Sequence, residues 1–513
     1  KNALIFEGTY TVISDIQLND LTINTGANIE VNQGESIILD GDLDSSGELI
    51  LNSVSNQYSS LIIDGIVTGN VVYKRHVNTN DSSVGNDLIS APLTGQTFGD
   101  FAAVNTNIFS NPSVPTEKLF GPFEKATGTY LTYDTNVPAE ASVTLNPATG
   151  YRSASTNNST FEYRGTVNTG VVNANISNIT GVNFPEWNLI GNPYPSYIKV
   201  SDFLSTNINA FLPETAAIYG YDGNANDGWT IWNTAYALAN PNAVITPGQG
   251  FLVSSQFTVG TMVFNPSIRT TATGISTVDD DFIQGRSSNE ISYLKLQIDN
   301  NNQIYNTDFY FTDHASLGFD LGFDTAVFNN AAPSYAIYSR LVENSSGNDI
   351  AIQSIRLDDI NDDLSIPLGV NASQGQQIVV SMPSITLPSD YTVYLEDKVL
   401  NTFTLLNSSD YTFTADANFG GVGRFYLRFS NSVLNIKDSN FESIRIYNIN
   451  AGNTIIVKGQ INLASQLTIY DIRGRLVKQA LIDANKNIQQ VDASHLNAGV
   501  YLVKLRNKAG EKT

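Results

Sequence analysis

The chain has 513 residues, too many for one hydrophobic core, and carries 49 acidic against 27 basic residues for a net charge of −22 at pH 7. That balance speaks against nucleic acid as a partner, since phosphate backbones need clustered Lys and Arg, and it permits calcium without requiring it. Cysteine is absent and the three histidines, His76, His314 and His495, lie far apart, so neither disulfides nor a thiolate- or histidine-built metal site is expected.

Three or four domains are expected, almost entirely β, because Asn, Thr, Ser, Gly, Tyr and Phe abound while runs at helical spacing are nearly absent. No apolar run reaches the roughly 18 residues of a membrane span. The chain opens at Lys1 without a signal-peptide pattern and reads as a mature form or a fragment.

Residues 1–78 alternate apolar and polar in bursts of three, such as Leu21-Thr22-Ile23, Ile29-Glu30-Val31 and Ile37-Ile38-Leu39, punctuated by Gly26, Gly34, Gly41, Gly47 and Gly65. Bursts this short predict rungs of a β-solenoid. Residues 79–268 carry an internal duplication, with units of about 79–167 and 168–268. Asn86-Asp87-Leu88-Ile89 answers Trp187-Asn188-Leu189-Ile190, Gly128-Thr129-Tyr130 answers Gly228-Trp229-Thr230, and Pro147-Ala148-Thr149-Gly150-Tyr151 answers Pro247-Gly248-Gln249-Gly250-Phe251. One order at nearly one offset predicts two related units, of β-sandwich or jelly-roll type, side by side or interlocked. Residues 269–285, with Asp279-Asp280-Asp281, read as a linker. Residues 286–432 return to alternating strands such as Tyr293–Ile298 and predict a β-sandwich. A short linker around 435–439 precedes a last small β-sandwich at 440–513.

In that last stretch, Asp471-Ile472-Arg473-Gly474-Arg475 reads as a tight turn between two strands, with Gly474 supplying a positive φ. The segment Thr468–Val477, with Tyr470, Asp471, Gly474 and Arg475, and the segment Leu496–Leu505, with Leu496, Gly499, Val500, Tyr501 and Lys504, resemble the two motifs of the type A C-terminal sorting domain of the type IX secretion system. The family often opens on a Tyr-Pro-Asn-Pro-like turn, where this chain has Tyr447-Asn448-Ile449-Asn450, and a few more residues ending in a basic strand are expected after Thr513. The resemblance implies export across the outer membrane of a Bacteroidetes-type bacterium. It further implies recognition by an outer-membrane carrier barrel and translocon, and a sortase that anchors cargo to surface lipopolysaccharide.

Sites of chemistry are sparse. Asp222, Asn224 and Asn226 place oxygens at alternate positions, as calcium loops do, but the glycine falls one position late and Asn233 stands where a closing Glu belongs, so a polar turn is the favoured expectation over calcium. Trp187, Trp229 and Trp232 would stack on sugars if exposed together, though core packing is favoured. Asp324-Thr325-Ala326 resembles a short O-glycosylation acceptor. Carboxylate neighbours such as Asp358-Asp359 and Asp362-Asp363 point to opposite strand faces or sit in turns, and no nucleophile elbow, phosphate loop or zinc motif appears. The favoured function is a non-enzymatic, cofactor-free, adhesin-like surface protein. The alternative is a glycan-binding module or an accessory region of a polysaccharide-degrading enzyme.

Overall fold

The short apolar bursts of the first 78 residues stack as parallel rungs in the computed structural model, which describes residues 1–79, 86–221, 229–271, 282–283, 291–389, 391–430, 444–449, 454–459, 461, 464–484, 486, 488–497, 499–507 and 510–512. Rung one is β1 (Ala3–Ile5), β2 (Gly8–Val12) and β3 (Ile16–Leu18). Rung two is β4 (Leu21–Ile23), β5 (Ala27–Val31) and β6 (Ser36–Leu39). Rung three is β7 (Leu43–Ser45), β8 (Glu48–Leu51) and β11 (Ser60–Ile63), with the hairpin β9 (Ser53–Val54) and β10 (Gln57–Tyr58) inserted before its last side. Then β12 (Val67–Thr68) and β13 (Val71–His76) begin a fourth.

Each rung pairs in parallel with the next, so Leu21 sits on Leu43, Ile29 on Leu49 and Ile37 on Leu61, all inward and buried. The inserted hairpin accounts for the irregular spacing of the bursts. At one corner, Asp20 Oδ1 accepts the amide of Asp42 at 3.0 Å and Asp42 Oδ1 accepts that of Ile66 at 2.7 Å, so each carboxylate holds the next rung. Glycine is required beneath them: a Cβ on Gly41 would lie 2.2 Å from Asp20 Oδ1.

Strand β13 is both a rung and the opening strand of the duplication, pairing in parallel with β8 and antiparallel with β18 (Thr160–Val167). One hydrophobic core therefore runs from Val12 to Val167, and the predicted boundary at residue 78 falls inside it. The first copy has the strand order β14 (Asp87–Ser90), β17 (Gly150–Ser153), β15 (Phe120–Glu124), β16 (Thr129–Tyr130). The second repeats that order with β20 (Trp187–Gly191), β23 (Gly250–Ser254), β21 (Ile218–Gly220) and β22 (Thr230–Trp232). The pairing of β13 with β18 likewise recurs in β19 (Val172–Ile176) with β24 (Gly260–Phe264).

The copies are not purely β. Two short helices interrupt each: α1 (Phe98–Val104) and α2 (Pro138–Ala141) in the first, α3 (Val200–Asn207) and α4 (Thr234–Ala239) in the second. Helices this brief leave no helical periodicity. In α1 and α4 the signal is the cap: Thr97 Oγ1 accepts the Asp100 amide, and Asn233 Oδ1 accepts that of Tyr236 at 3.0 Å.

The copies interlock reciprocally. Ile89 bridges to Gln249 and its counterpart Ile190 to Thr149, while the Ser90 amide donates to Gly248 O at 2.7 Å and that of Gly191 to Ala148 O at 3.2 Å. Ala148 and Gly248 share a left-handed backbone, φ 62° and 66°. Gly150 and Gly250 give the close approach, since a Cβ on either would lie under 3.0 Å from the opposing Leu-Ile pair. The repeated motifs are thus the two halves of one interface.

Parts of the predicted linker are strands. Arg269–Thr270 pairs with Tyr197–Ile198, and Phe282–Ile283 pairs with Val244–Ile245. The Arg269 guanidinium reaches Ile63 O and Asp64 Oδ1, both at 2.9 Å, which draws the segment onto the solenoid. Residues 272–281 and 284–285 of that linker lie outside the described residues.

The third region is one eleven-stranded sheet with one large core and two small satellite clusters. It runs β33 (Thr402–Leu405), β32 (Thr392–Asp397), β35 (Phe425–Ser430), β30 (Ser365–Asn371), β28 (Ala336–Ser339), β29 (Ile350–Ile355), β26 (Ile304–Phe311), β25 (Ser292–Asp299), β31 (Gln377–Ile385), β34 (Tyr411–Thr414), with β27 (Thr325–Ala326) beside β29. Tyr310 and Ile352 extend into the core of the second copy, so residues 1–429 form one compact unit where separate domains were predicted. Residues 430–513 form a second, with its own core.

Candidate functional site

The second unit is a small sandwich of two antiparallel sheets. One is β36 (Arg445–Ile449), β37 (Thr454–Lys458) and β40 (Ile488–Asp492). The other is β39 (Leu476–Ile482), β38 (Ser465–Asp471), β41 (Tyr501–Asn507) and β42 (Gly510–Lys512). Strand alternation sends Leu467, Ile469 and Leu505 inward to a core shared with Ile444, Val457 and Ile482. Both sequence motifs lie in the second sheet, where Tyr470 faces Leu502 and Asp471 faces Tyr501 across the β38–β41 ladder.

Gly474, at φ 79°, closes the turn, with its amide on Asp471 O at 2.9 Å. Asp471 holds the turn from within: Oδ1 accepts the amides of Arg473 and Arg475 at 2.9 and 3.0 Å, and Oδ2 pairs with the Arg475 guanidinium at 2.7 Å. The Arg475 bonds first, then these amides, hold the carboxyl below its ordinary pKa. Asp471→Ala is expected to speed hydrogen exchange of the Arg473 and Arg475 amides severalfold while leaving the Ile469 amide protected; equal exchange in both proteins would refute this role.

Leu496 packs against the core, and the Tyr501 hydroxyl donates to Asn497 O at 2.9 Å, pinning the loop before β41. Apolar groups are exposed in the turn, at the start of β39 and just before β41: Ile472 is 80% exposed, Leu476 52% and Val500 75%. The segment in the place of the Tyr-Pro-Asn-Pro-like turn continues strand β36 through Ile449; Asn450 lies outside the described residues.

The other sequence candidates fare differently. Trp187 is 0% and Trp232 4% exposed, which removes both from a sugar-stacking surface. Trp187 lies edge-on to Tyr219 and against Phe328, Trp229 stacks on Phe328 at 4.7 Å and is half-buried, and Trp232 stacks on Tyr236 in a different core. Phe328, from the third region, lies against both Trp187 and Trp229. The calcium candidates Asp222, Asn224 and Asn226 lie outside the described residues. Among those described, no group of three metal-ligating side chains occurs. Asp358 and Asp359 share one helical turn, and His76 lies in β13 while His314 stacks on Phe323.

The glycosylation candidate Asp324-Thr325-Ala326 is 0% exposed throughout, and Thr325 Oγ1 accepts a hydrogen bond from Asn233 Nδ2 at 3.0 Å, so the folded chain cannot present it as an acceptor. Burial pushes the Asp324 carboxyl up to about 8, against the opposing pull of the Ser354 and Asp320 amides. A raised carboxyl favours the fold fully below the ordinary carboxylate range and loses that contribution as pH rises through about 8. The melting temperature of the native chain relative to Asp324→Asn is therefore expected to fall from pH 5 to about 8 and to level off above; a pH-independent difference would contradict it.

Sequence reasoning missed two cations that hold the fold, one half-buried and one fully buried. Lys125 Nζ donates to Pro185 O and Trp187 O at 2.6 Å and to Ser177 O at 3.1 Å, joining the first copy to the second. Burial lowers its pKa to about 8, so it remains charged at neutral pH. Arg75, fully buried, donates to Gln249 Oε1 at 2.5 Å, lies 3.7 Å from Asp87 Oδ2 and sits 5.8 Å from the Tyr58 ring centroid. A Lys among polar residues or an Arg at a strand's end carries no distinguishing pattern in sequence.

Two families match the chain. Residues 4–429 match the family described as Domain of unknown function (DUF8693), and residues 451–513 match the Secretion system C-terminal sorting domain. The chain belongs to the first of these families, whose match spans most of its length. It is a type IX secretion cargo protein, exported under a C-terminal sorting domain. No curated protein matches it. Among solved structures, a chain described as "Biofilm associated protein - BSP domain" aligns over 86% of this chain and 94% of its own at 10% identity, with a TM-score of 0.12, too low to carry any argument.

Proposed function

We propose that this is a non-enzymatic, adhesin-like protein displayed on the cell surface, with residues 1–429 as the displayed cargo and the C-terminal sandwich as the secretion and sorting signal. The observation that carries the reading is the sorting-domain match on a β-unit with its own core at the end of the chain. The carrier barrel, translocon and sortase are its partners on this reading, lipopolysaccharide its anchor, and no cofactor takes part. Antibodies against residues 1–429 are expected to label intact cells, and protease added outside to abolish the label. Protein found only in the medium would overturn surface attachment.

The glycan-binding alternative loses its main support with the burial of Trp187 and Trp232. On a glycan array, Trp229→Ala is expected to leave the profile of the native chain unchanged. A binding signal abolished by that substitution would restore the alternative.

A further inference from the structure

The C-terminal sandwich is open on one side. A cleft of about 1440 Å³ runs between its sheets, with Ile446, Ile455, Ile469, Leu496 and Val503 among its apolar lining. Among the described residues, one strand edge borders it. Among the described residues, strand β36 is the edge of its sheet; it lines the cleft through Arg445–Asn448, with Ile444 just before it. A strand edge unpaired among the described residues, beside an apolar lining, is the geometry by which sheets accept an added strand.

The charge around the cleft is one-sided. Its described lining includes Arg445, Lys458 and Lys512 and no carboxylate. Arg445 and Lys458 stand directly opposite each other in the β36–β37 ladder, a like-charge pair that costs stability unless an anion lies between. Among the described residues, no carboxylate pairs with either. The contrast extends to the unit: residues 430–513 carry eleven Lys and Arg against six Asp and Glu, a net of +5, leaving −27 for residues 1–429.

We propose that this cleft binds an extended polypeptide strand in which apolar and acidic side chains alternate. The strand pairs its backbone with the β36 edge, seats its apolar side chains on the cleft lining and sets its carboxylates against Arg445 and Lys458. The proposal rests on the cleft and not on the export reading, and secretion is assayed separately, so failure of one leaves the other standing.

The test uses the full chain and a fluorescent seven-residue peptide of alternating Val and Glu, followed by anisotropy. Expected is saturable binding that weakens as salt rises and falls at least about tenfold in Arg445→Glu/Lys458→Glu, a loss of about 1.4 kcal/mol. The milder Arg445→Gln/Lys458→Gln, with an unchanged melting curve, is expected to fall part of the way. Absence of saturable binding, equal affinity in the charge-reversed chain, equal binding of a Val-Lys peptide, or capture by phosphatidylglycerol vesicles without the peptide would each overturn the proposal.

Discussion

Replacing Arg75 by Ala is expected to destabilise the larger unit by about 3 to 5 kcal/mol, the range for breaking a buried ion pair from one side. Its guanidinium joins three pieces of chain distant in sequence: Tyr58 on the solenoid hairpin, Asp87 in the first copy and Gln249 in the second. Removing it strands the Asp87 carboxylate, whose side chain is fully buried, and takes a donor from the Gln249 carbonyl. Among the neighbours that remain are the Asn78 amide on Asp87 and the Leu88 and Gly250 carbonyls on Gln249. Denaturant unfolding measures the loss. In a double-mutant cycle, Arg75→Ala with Asp87→Ala should cost less than the two separately, because the second change removes the stranded charge. Strict additivity, or a loss within about 0.5 kcal/mol for Arg75→Ala alone, would show that the pair is not coupled.

Gly250→Val is the second large effect. The added Cβ would lie 2.7 Å from Leu88 C and 2.8 Å from Ile89 N, both backbone atoms that cannot rotate aside. Overpacking of this kind costs about 3 kcal/mol or more when the backbone must shift. The damage falls on the interface between the copies, so exchange protection should drop first in Asp87–Ser90 and Gly250–Ser254, the strands that meet there. Gly8→Val isolates the cost of backbone strain alone, because a Cβ added there would meet nothing within 4 Å while the backbone sits at φ 79°. Equal losses at the two glycines would mean that strain, and not the interface, sets the effect.

Much of the fold is legible in the residues themselves. Three-residue bursts such as Leu21–Ile23 mark solenoid rungs because a rung side needs only two inward residues, and the offset between Leu88 and Leu189 marks a duplication whose strand order the structure repeats. What was hidden is long-range. That β13 serves as both rung and repeat strand follows from its two pairing partners, which alternation in Val71–His76 does not specify. Arg269 joins its segment to the solenoid through a contact 205 residues away. The tryptophans read as a candidate surface because their nearness in sequence says nothing of Phe328, the ring that covers Trp187. Around the turn of the sorting domain, by contrast, Asp471, Gly474 and Arg475 act through local bonds, and local chemistry is what a sequence displays best.

The division into two units makes the central claim directly testable. Residues 1–429 enclose three large cores of their own, and the sorting domain encloses a fourth. Deleting residues 440–513 should therefore leave the cargo folded while removing its export signal. Fractionation of cells expressing this deletion is predicted to find the folded cargo inside the outer membrane and none outside, whereas cargo still exported at the level of the intact chain would contradict the account.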